Sequence, residues 1–309
     1  MNHFIKGHGD INQLLKDPAY RNLLYKNCKS CGGKVDFKSY TTADGVCPHC
    51  GQSVAPYIKE AHIYFASAVG LCVSRFLKDL RENRVPFDYK LFRLDGYMLD
   101  SGDISALPYS NENIYRKLLL SIDECHQVMK KKYAELSALD GNTEVYIWIE
   151  ICQANEYLTM LYSAPLFKRF SKVHLVPLYS TKNIKDKHYN ISHSLKERKT
   201  LTVDDLDEMF LQFQEIQRKD GEYRITIDGN TSVYTKNHFD NDILSCIKPK
   251  YELVWTIITR FWKKEKDSEK SGLTCDQLLL IIDGLLEKGL IEARFDINEL
   301  GENQIRLRK

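Results

Sequence analysis

The chain has 309 residues, 43% of them hydrophobic and 28% charged, with a formal net charge of +2. That length suits two domains plus a small module, and the near-neutral balance excludes a polycation, so any affinity for nucleic acid has to come from a local patch. No run of about 18 apolar residues occurs and the start MNHFIKGHGDINQLLKD has no signal-peptide core, which excludes a membrane span and predicts a cytoplasmic location.

Residues 1–26 form a lead-in. Leu14, Leu15, Leu23 and Leu24 around Pro18 predict one or two helical turns interrupted by the proline. Residues 27–56 follow as a second segment, and they hold four of the nine cysteines in the pattern Cys28-x2-Cys31-x15-Cys47-x2-Cys50. Two cysteines separated by two residues turn both sulfurs toward one point. Gly32 and Gly51, directly after each pair, give the backbone the freedom to close a knuckle. Two knuckles close a tetrahedral four-sulfur shell, which suits one structural Zn²⁺ and leaves no open position for a reaction. A redox-active Cys-x-x-Cys pair or a four-sulfur iron are the alternatives at this spacing. The intervening KVDFKSYTTADGV predicts a hairpin turning near Asp44-Gly45, the plan of a zinc ribbon, with His49 a non-ligand inside the second knuckle. The other five cysteines are scattered through apolar patterns, as reduced, buried cysteines are.

From residue 57 to 180 strands and helices alternate. AHIYFASAVG reads as a strand running into a tight turn and a helix, FDYKLFRL as a strand, and 113–136 as a long helix. EVYIWIEI and KVHLVPL are two further strands flanking the helix NEYLTMLYSAPLF. Continuous apolar strands alternating with helices predict an α/β fold, a doubly wound, Rossmann-like, mostly parallel sheet. Residues 181–200 read as a basic linker, since 179–200 carry six Lys/Arg against two acids. Residues 201–309 predict a mostly helical α+β domain. Thr202 caps a helix with Asp204 and Asp205 in its first turn, 222–234 forms a hairpin around Gly229-Asn230, and a last helix starts near Thr274. That last helix and the strand after it are similar to the end of a winged helix, but Asp276, Asp283 and Glu287 give it an acidic face that would repel DNA phosphates.

The runs AHIYFASAVG, LDGYMLDSGDI and EVYIWIEICQANEYLTMLY together resemble the bacterial domain-of-unknown-function family 1835. FQEIQRKDGEYRITIDG, FDNDIL and LLLIIDGLLEKGLIE resemble its C-terminal companion, family 3658. The resemblance implies the two-domain plan over residues 60–300 and a bacterial origin, and it implies no established activity. The family's Gly-Asp-Ser-like first turn is replaced here by Ala66-Ser67-Ala68, and its Gly-Pro pair by Gly102-Asp103.

No catalytic set emerges: there is no HExxH, no Gly-x-Ser-x-Gly elbow, no phosphate loop and no paired histidine spacing. Ligand-binding candidates follow from the expected strand ends of an open α/β sheet, where backbone amides at a helix start favour anions and carboxylates can bind cations. They are Ser67, Gly70, Asp95, Asp103 and Glu150, with Asp100 in the same acidic group. Contacts to nucleic acid or a protein partner are expected from Lys29, Lys34 and Lys38 on the ribbon and Lys182, Lys185 and Lys187 in the linker. The functional expectation is a zinc-ribbon binding or regulatory protein; a nucleotide- or phosphate-binding enzyme or sensor using the strand ends is the competing reading.

Overall fold

The computed structural model describes residues 25–27, 31–36, 47, 49–51, 59–65, 67–82, 88–94, 98–105, 107, 122–150, 153–178, 191–266, 268–294 and 304–308. Two compact units divide the chain. The first comprises Met1–Asp95, Lys131–Glu150 and Ser163–Phe210, the second Gly96–Lys130, Ile151–Tyr162 and Leu211–Lys309.

In the first unit a short antiparallel hairpin, β1 (Tyr25–Asn27) and β2 (Lys34–Asp36), precedes a five-stranded sheet. The sheet strands are β3 (Lys59–Tyr64), β4 (Asp88–Arg93), β5 (Glu144–Ile149), β6 (Lys172–Pro177) and β7 (Lys199–Leu201), in the order β4-β3-β5-β6-β7. β4, β3, β5 and β6 are parallel, and β7 joins β6 antiparallel. Helices α1 (Ser67–Glu82), α2 (Ile122–Ser137), α3 (Ala154–Phe167) and α4 (Ile191–Lys196) follow β3, β4, β5 and β6. The fold is therefore α/β with a mixed, mostly parallel sheet. β7 and α4 fall within the stretch read as linker. Ile191 and Leu195 are buried there, a helix of six residues being too short to show a periodic signal.

Val69, Val73, Phe76 and Leu77 of α1 recur at helical spacing and pack with Ile191 and Leu195 of α4 against Tyr146, Trp148 and Val176 of the sheet. On the opposite sheet face Ile63, Val145, Ile147 and Val173 are also buried. A strand buried on both faces cannot alternate apolar with polar residues, which is why EVYIWI reads as an unbroken apolar run.

One row of that packed face is polar and buried. Register sets the buried His62, Tyr146 and His174 side by side across β3, β5 and β6, with the exposed Thr200 of β7 at the end of the row. Trp148 Nε1 donates to His62 Nδ1 at 3.1 Å, and indole nitrogen is only a donor. His62 Nδ1 thus carries no proton, and the ring's Nε2–H is given to Glu60 Oε2 at 3.2 Å. His62 stacks on Tyr146 with centroids 5.0 Å apart, and Tyr146 donates to Glu144 Oε1, which also meets His174 Nε2 at 2.9 Å. Burial, with Glu60 and Glu144 beside it, pushes the Tyr146 hydroxyl well above its ordinary range. Replacing His62 with Phe keeps the ring but strands the Trp148 N–H and the buried Glu60. The urea midpoint should fall by the equivalent of about 3 kcal/mol, at about 1–3 kcal/mol per stranded group, and an unchanged midpoint would refute the network's role.

In the second unit β8 (Tyr223–Ile227) and β9 (Asn230–Tyr234) form a hairpin; α5 (Val203–Arg218), whose residues up to Phe210 lie in the first unit, precedes it. Thr202 caps α5 reciprocally: its Oγ accepts from Asp205 N–H, and its own N–H is accepted by Asp205 Oδ2. The hairpin turn is centred on Asp228-Gly229, one residue earlier than the sequence predicts. Both residues have positive φ, 48° and 78°, as a type I′ turn demands. Residues 100–102 run along β8: Arg224 N–H donates to Asp100 O, and Gly102 N–H to Glu222 O.

The unit continues through α6 (Asp240–Leu244), β10 (Glu252–Leu253), α7 (Val254–Lys264), a 3-10 turn at Glu269–Gly272 and α8 (Cys275–Glu287), and closes with β11 (Ile291–Ala293) and β12 (Gln304–Leu307). The order is β10-β12-β11, and both pairings are antiparallel. Its core gathers Phe239, Ile243, Ile257, Phe261, Leu278 and Ile282. Gln277, Leu278, Leu280, Ile281, Ile282, Gly284 and Leu285 of α8 are buried. The residues it leaves exposed include Asp276 and Glu287. A helix so used is a packing element, and its exposed acids repel phosphate.

Candidate metal centre

In the β1–β2 hairpin Asn27 pairs with Lys34, so the first cysteine pair falls in sequence between its strands. The Sγ atoms of Cys31, Cys47 and Cys50 lie within 4.8 Å of one another. Cys31 and Cys47 Sγ are 3.8 Å apart. Four sulfurs held about 2.3 Å from a central Zn²⁺ in a tetrahedron stand about 3.8 Å apart, whereas a disulfide closes to about 2.05 Å. The three sulfurs lie close enough to one another to bind a metal ion.

The knuckle backbones match. Gly32 and Gly51 share φ of 71°, in the left-handed region that a side chain would strain. In the second knuckle Gly51 N–H returns to Cys47 O at 2.9 Å, and His49 N–H points at Cys47 Sγ at 3.4 Å, an amide dipole that stabilises thiolate charge. The His49 ring lies over Gly33, where a Cβ would approach its Cδ2 to 2.6 Å, so glycine there lets the knuckles close on each other. Cys47 is buried, while Cys31 and Cys50 are exposed. Three of the four expected ligands therefore converge; Cys28 lies outside the described residues, as does the expected turn at Asp44-Gly45.

The strand-edge candidates are placed as follows. The chain reverses its sheet direction between β3 and β5, so the crevice beyond their carboxyl ends is the topological switch point of this sheet. Ser67 starts α1 just past β3, and Glu150, buried, follows β5; register partners Tyr64 and Trp148 bring those two ends side by side. Gly70 lies one turn into α1 against the Tyr64 ring, where a Cβ would sit 2.1 Å from Cε2. Its lack of a side chain serves that packing. Gly70→Ala should destabilise the protein by about 1–3 kcal/mol, the range for overpacking a core; a melting temperature equal to that of the parent protein would contradict this.

Asp103 is in the second unit. Its Oδ1 accepts from Ser105 N–H at 2.8 Å, and it lines a 520 Å³ cleft with Gln217, Arg218, Arg224 and Lys236. Asp100 is buried and forms a node. Its carbonyl accepts from Gln277 Nε2 at 2.7 Å, and its carboxylate accepts from the hydroxyls of Ser101 and Thr274. Burial, reinforced by Asp276, raises its pKa to about 6, against the opposing pull of Thr274, Ser101 and Arg224. Arg224, also buried, gives Nη1 to Gly102 O and Nη2 to Gly221 O. Sequence reasoning missed Arg224, because one cation in the run YRITI reads as the solvent side of a strand. Lys34 belongs to β2; Lys29, Lys38, Asp95, Lys182, Lys185 and Lys187 lie outside the described residues.

Among the described residues no helix is long and apolar enough to cross a membrane. Compared with protein-family profiles, with curated proteins and with solved structures, the chain matches none.

Proposed function

We propose that the chain is a zinc-ribbon binding protein in which Cys28, Cys31, Cys47 and Cys50 hold one structural Zn²⁺ and the folded surface contacts nucleic acid or a protein partner. The 3.8 Å sulfur spacing carries this reading, because it fits a filled tetrahedral shell rather than a disulfide. A filled shell offers no site for water or substrate, so the ion acts by holding a surface in shape. The resemblance to families 1835 and 3658 belongs to the same proposal, supported by the alternation of strands and helices from β3 to β6. The test is full-length protein titrated with labelled DNA and RNA oligonucleotides at several salt concentrations. Binding that weakens steeply with salt supports the reading, and no binding to either argues against a nucleic-acid partner.

A second reading has one observation in its favour: Ser67 and Glu150 flank the switch point, where open α/β sheets take ligands. A nucleotide or phosphorylated ligand there would raise the melting temperature in proportion to its concentration over Kd, and a panel of nucleotides producing no shift removes it.

A further inference from the structure

The outer face of the β10-β12-β11 sheet joins cationic and aromatic groups that neither the metal centre nor the switch point uses. The register pairs Leu253 with Gln304 and Arg306 with Glu292, and it sets the residues two along each strand on the same side. Ile291 and Ile305, on the other side, are buried in the core, so the side bearing Arg306 faces outward. Tyr251 continues β10 by one residue on that outward side, and Arg294 continues β11, its N–H donating to Gln304 O. The guanidinium of Arg306 lies 4.6 Å from the Tyr251 ring centre and that of Arg294 5.6 Å from it. Arg308 extends β12, bonded through its N–H to Leu290 O. Among the described residues three arginines thus share this face with one tyrosine, the exposed Leu253 and one carboxylate, Glu292, which Arg306 grips with Nε and Nη2 at 3.0 and 2.9 Å and which Arg308 Nε approaches at 3.8 Å.

We propose that this sheet face binds single-stranded nucleic acid, its arginines, two of them held in place over Tyr251, meeting backbone phosphates while the exposed Leu253 lies under the bases. The proposal rests on the nucleic-acid reading above and names the surface that performs it. Charge complementarity selects a polyanion. Guanidinium groups ordered over an aromatic ring lose little freedom on meeting phosphate, and contacts to the backbone with an apolar side chain beside them accept any base. A duplex-reading mode does not fit: α8 is packed inward with exposed acids, and the β11–β12 connection carries Asp296, Glu299 and Glu302. Three phosphate contacts on a single strand predict a slope of log K against log salt of about −2, at roughly −0.7 per contact.

Fluorescence anisotropy of labelled oligo-dT and oligo-U with the full-length protein tests this. The Arg294→Gln, Arg308→Gln double variant should bind at least about tenfold more weakly, with a slope shallower by about 1.4. Glu292→Gln, which removes that carboxylate from the face, should bind several-fold more tightly, an outcome that misfolding cannot mimic. If the parent protein binds and the arginine variant binds equally well, the sheet face is wrong while the nucleic-acid reading survives. If the parent protein binds neither oligonucleotide, both are wrong. Binding of a polyglutamate peptide with the same variant sensitivity and no oligonucleotide binding overturns the proposal in favour of an acidic protein partner.

Discussion

Full-length protein purified without chelator will carry about one zinc per chain, and a Cys47→Ser variant will carry none. Cys47 is the informative choice because its sulfur lies within reach of both Cys31 and Cys50 and accepts the His49 amide. Metal binding in such modules supplies roughly 10–16 kcal/mol of apparent free energy, far more than a short hairpin can gather from its own core. Chelation should therefore expose residues 28–51 to protease while the far-ultraviolet dichroism of both units persists, since the cores around Trp148 and Phe261 contain no cysteine from the cluster. Zinc content unchanged by Cys47→Ser would overturn the site. A visible charge-transfer band from bound iron would reassign the metal while keeping the ligands.

The second large effect concerns Asp100. Its pKa stands near 6 in the folded chain against 3.8 for an unperturbed carboxyl. The folded state therefore holds its proton more tightly than the unfolded state. The sign follows: the group's contribution to stability is fully present below about pH 3.8 and is lost as pH rises through about 6. At roughly 1.4 kcal/mol per tenfold, the cost of ionising it in place is about 3 kcal/mol at neutral pH. Asp100→Asn, which still offers Thr274 and Ser101 an oxygen, should raise stability at pH 7.5 by up to about that amount and have little effect at pH 4. Arg224 sets the competing effect. Asp100 stands ahead of Glu222 and Asp103 among the charges that sustain Arg224, so part of the gain is offset, and a variant less stable than the parent at pH 7.5 in chemical denaturation would overturn the prediction.

What the sequence revealed depended on how local the determinant was. The strands from β3 to β6 were legible because each is a run of apolar residues buried on both faces, and the caps at Thr202 and Thr274 because a capping box links residues only three apart. The cysteine spacing was legible for the same reason: knuckle chemistry is local. β7 was not, since three residues in a basic stretch acquire strand geometry only by pairing with β6. β10 reads as the first turn of α7, and only its pairing with β12, some fifty residues on, makes it a strand. The polar row is the clearest loss. His62 and His174 have no sequence relation, and their placement either side of Tyr146 is a product of strand order. Asp100 and Arg224 likewise meet only because residues 100–102 run along β8.

The interleaving of the two units has a consequence for how this chain can be divided. It passes from one to the other at 95/96, 130/131, 150/151, 162/163 and 210/211, and three of those crossings fall inside α2, α3 and α5. No single cut yields an intact half. A fragment ending at residue 180 would lack β7 and keep orphaned stretches of the second unit, and one starting at 201 would lack the Asp100 strand on which Arg224 and Gln277 close. Recombination could not have transplanted either unit as one contiguous segment. Each must also complete itself from residues distant in sequence, a requirement that slows folding relative to units assembled from neighbouring segments.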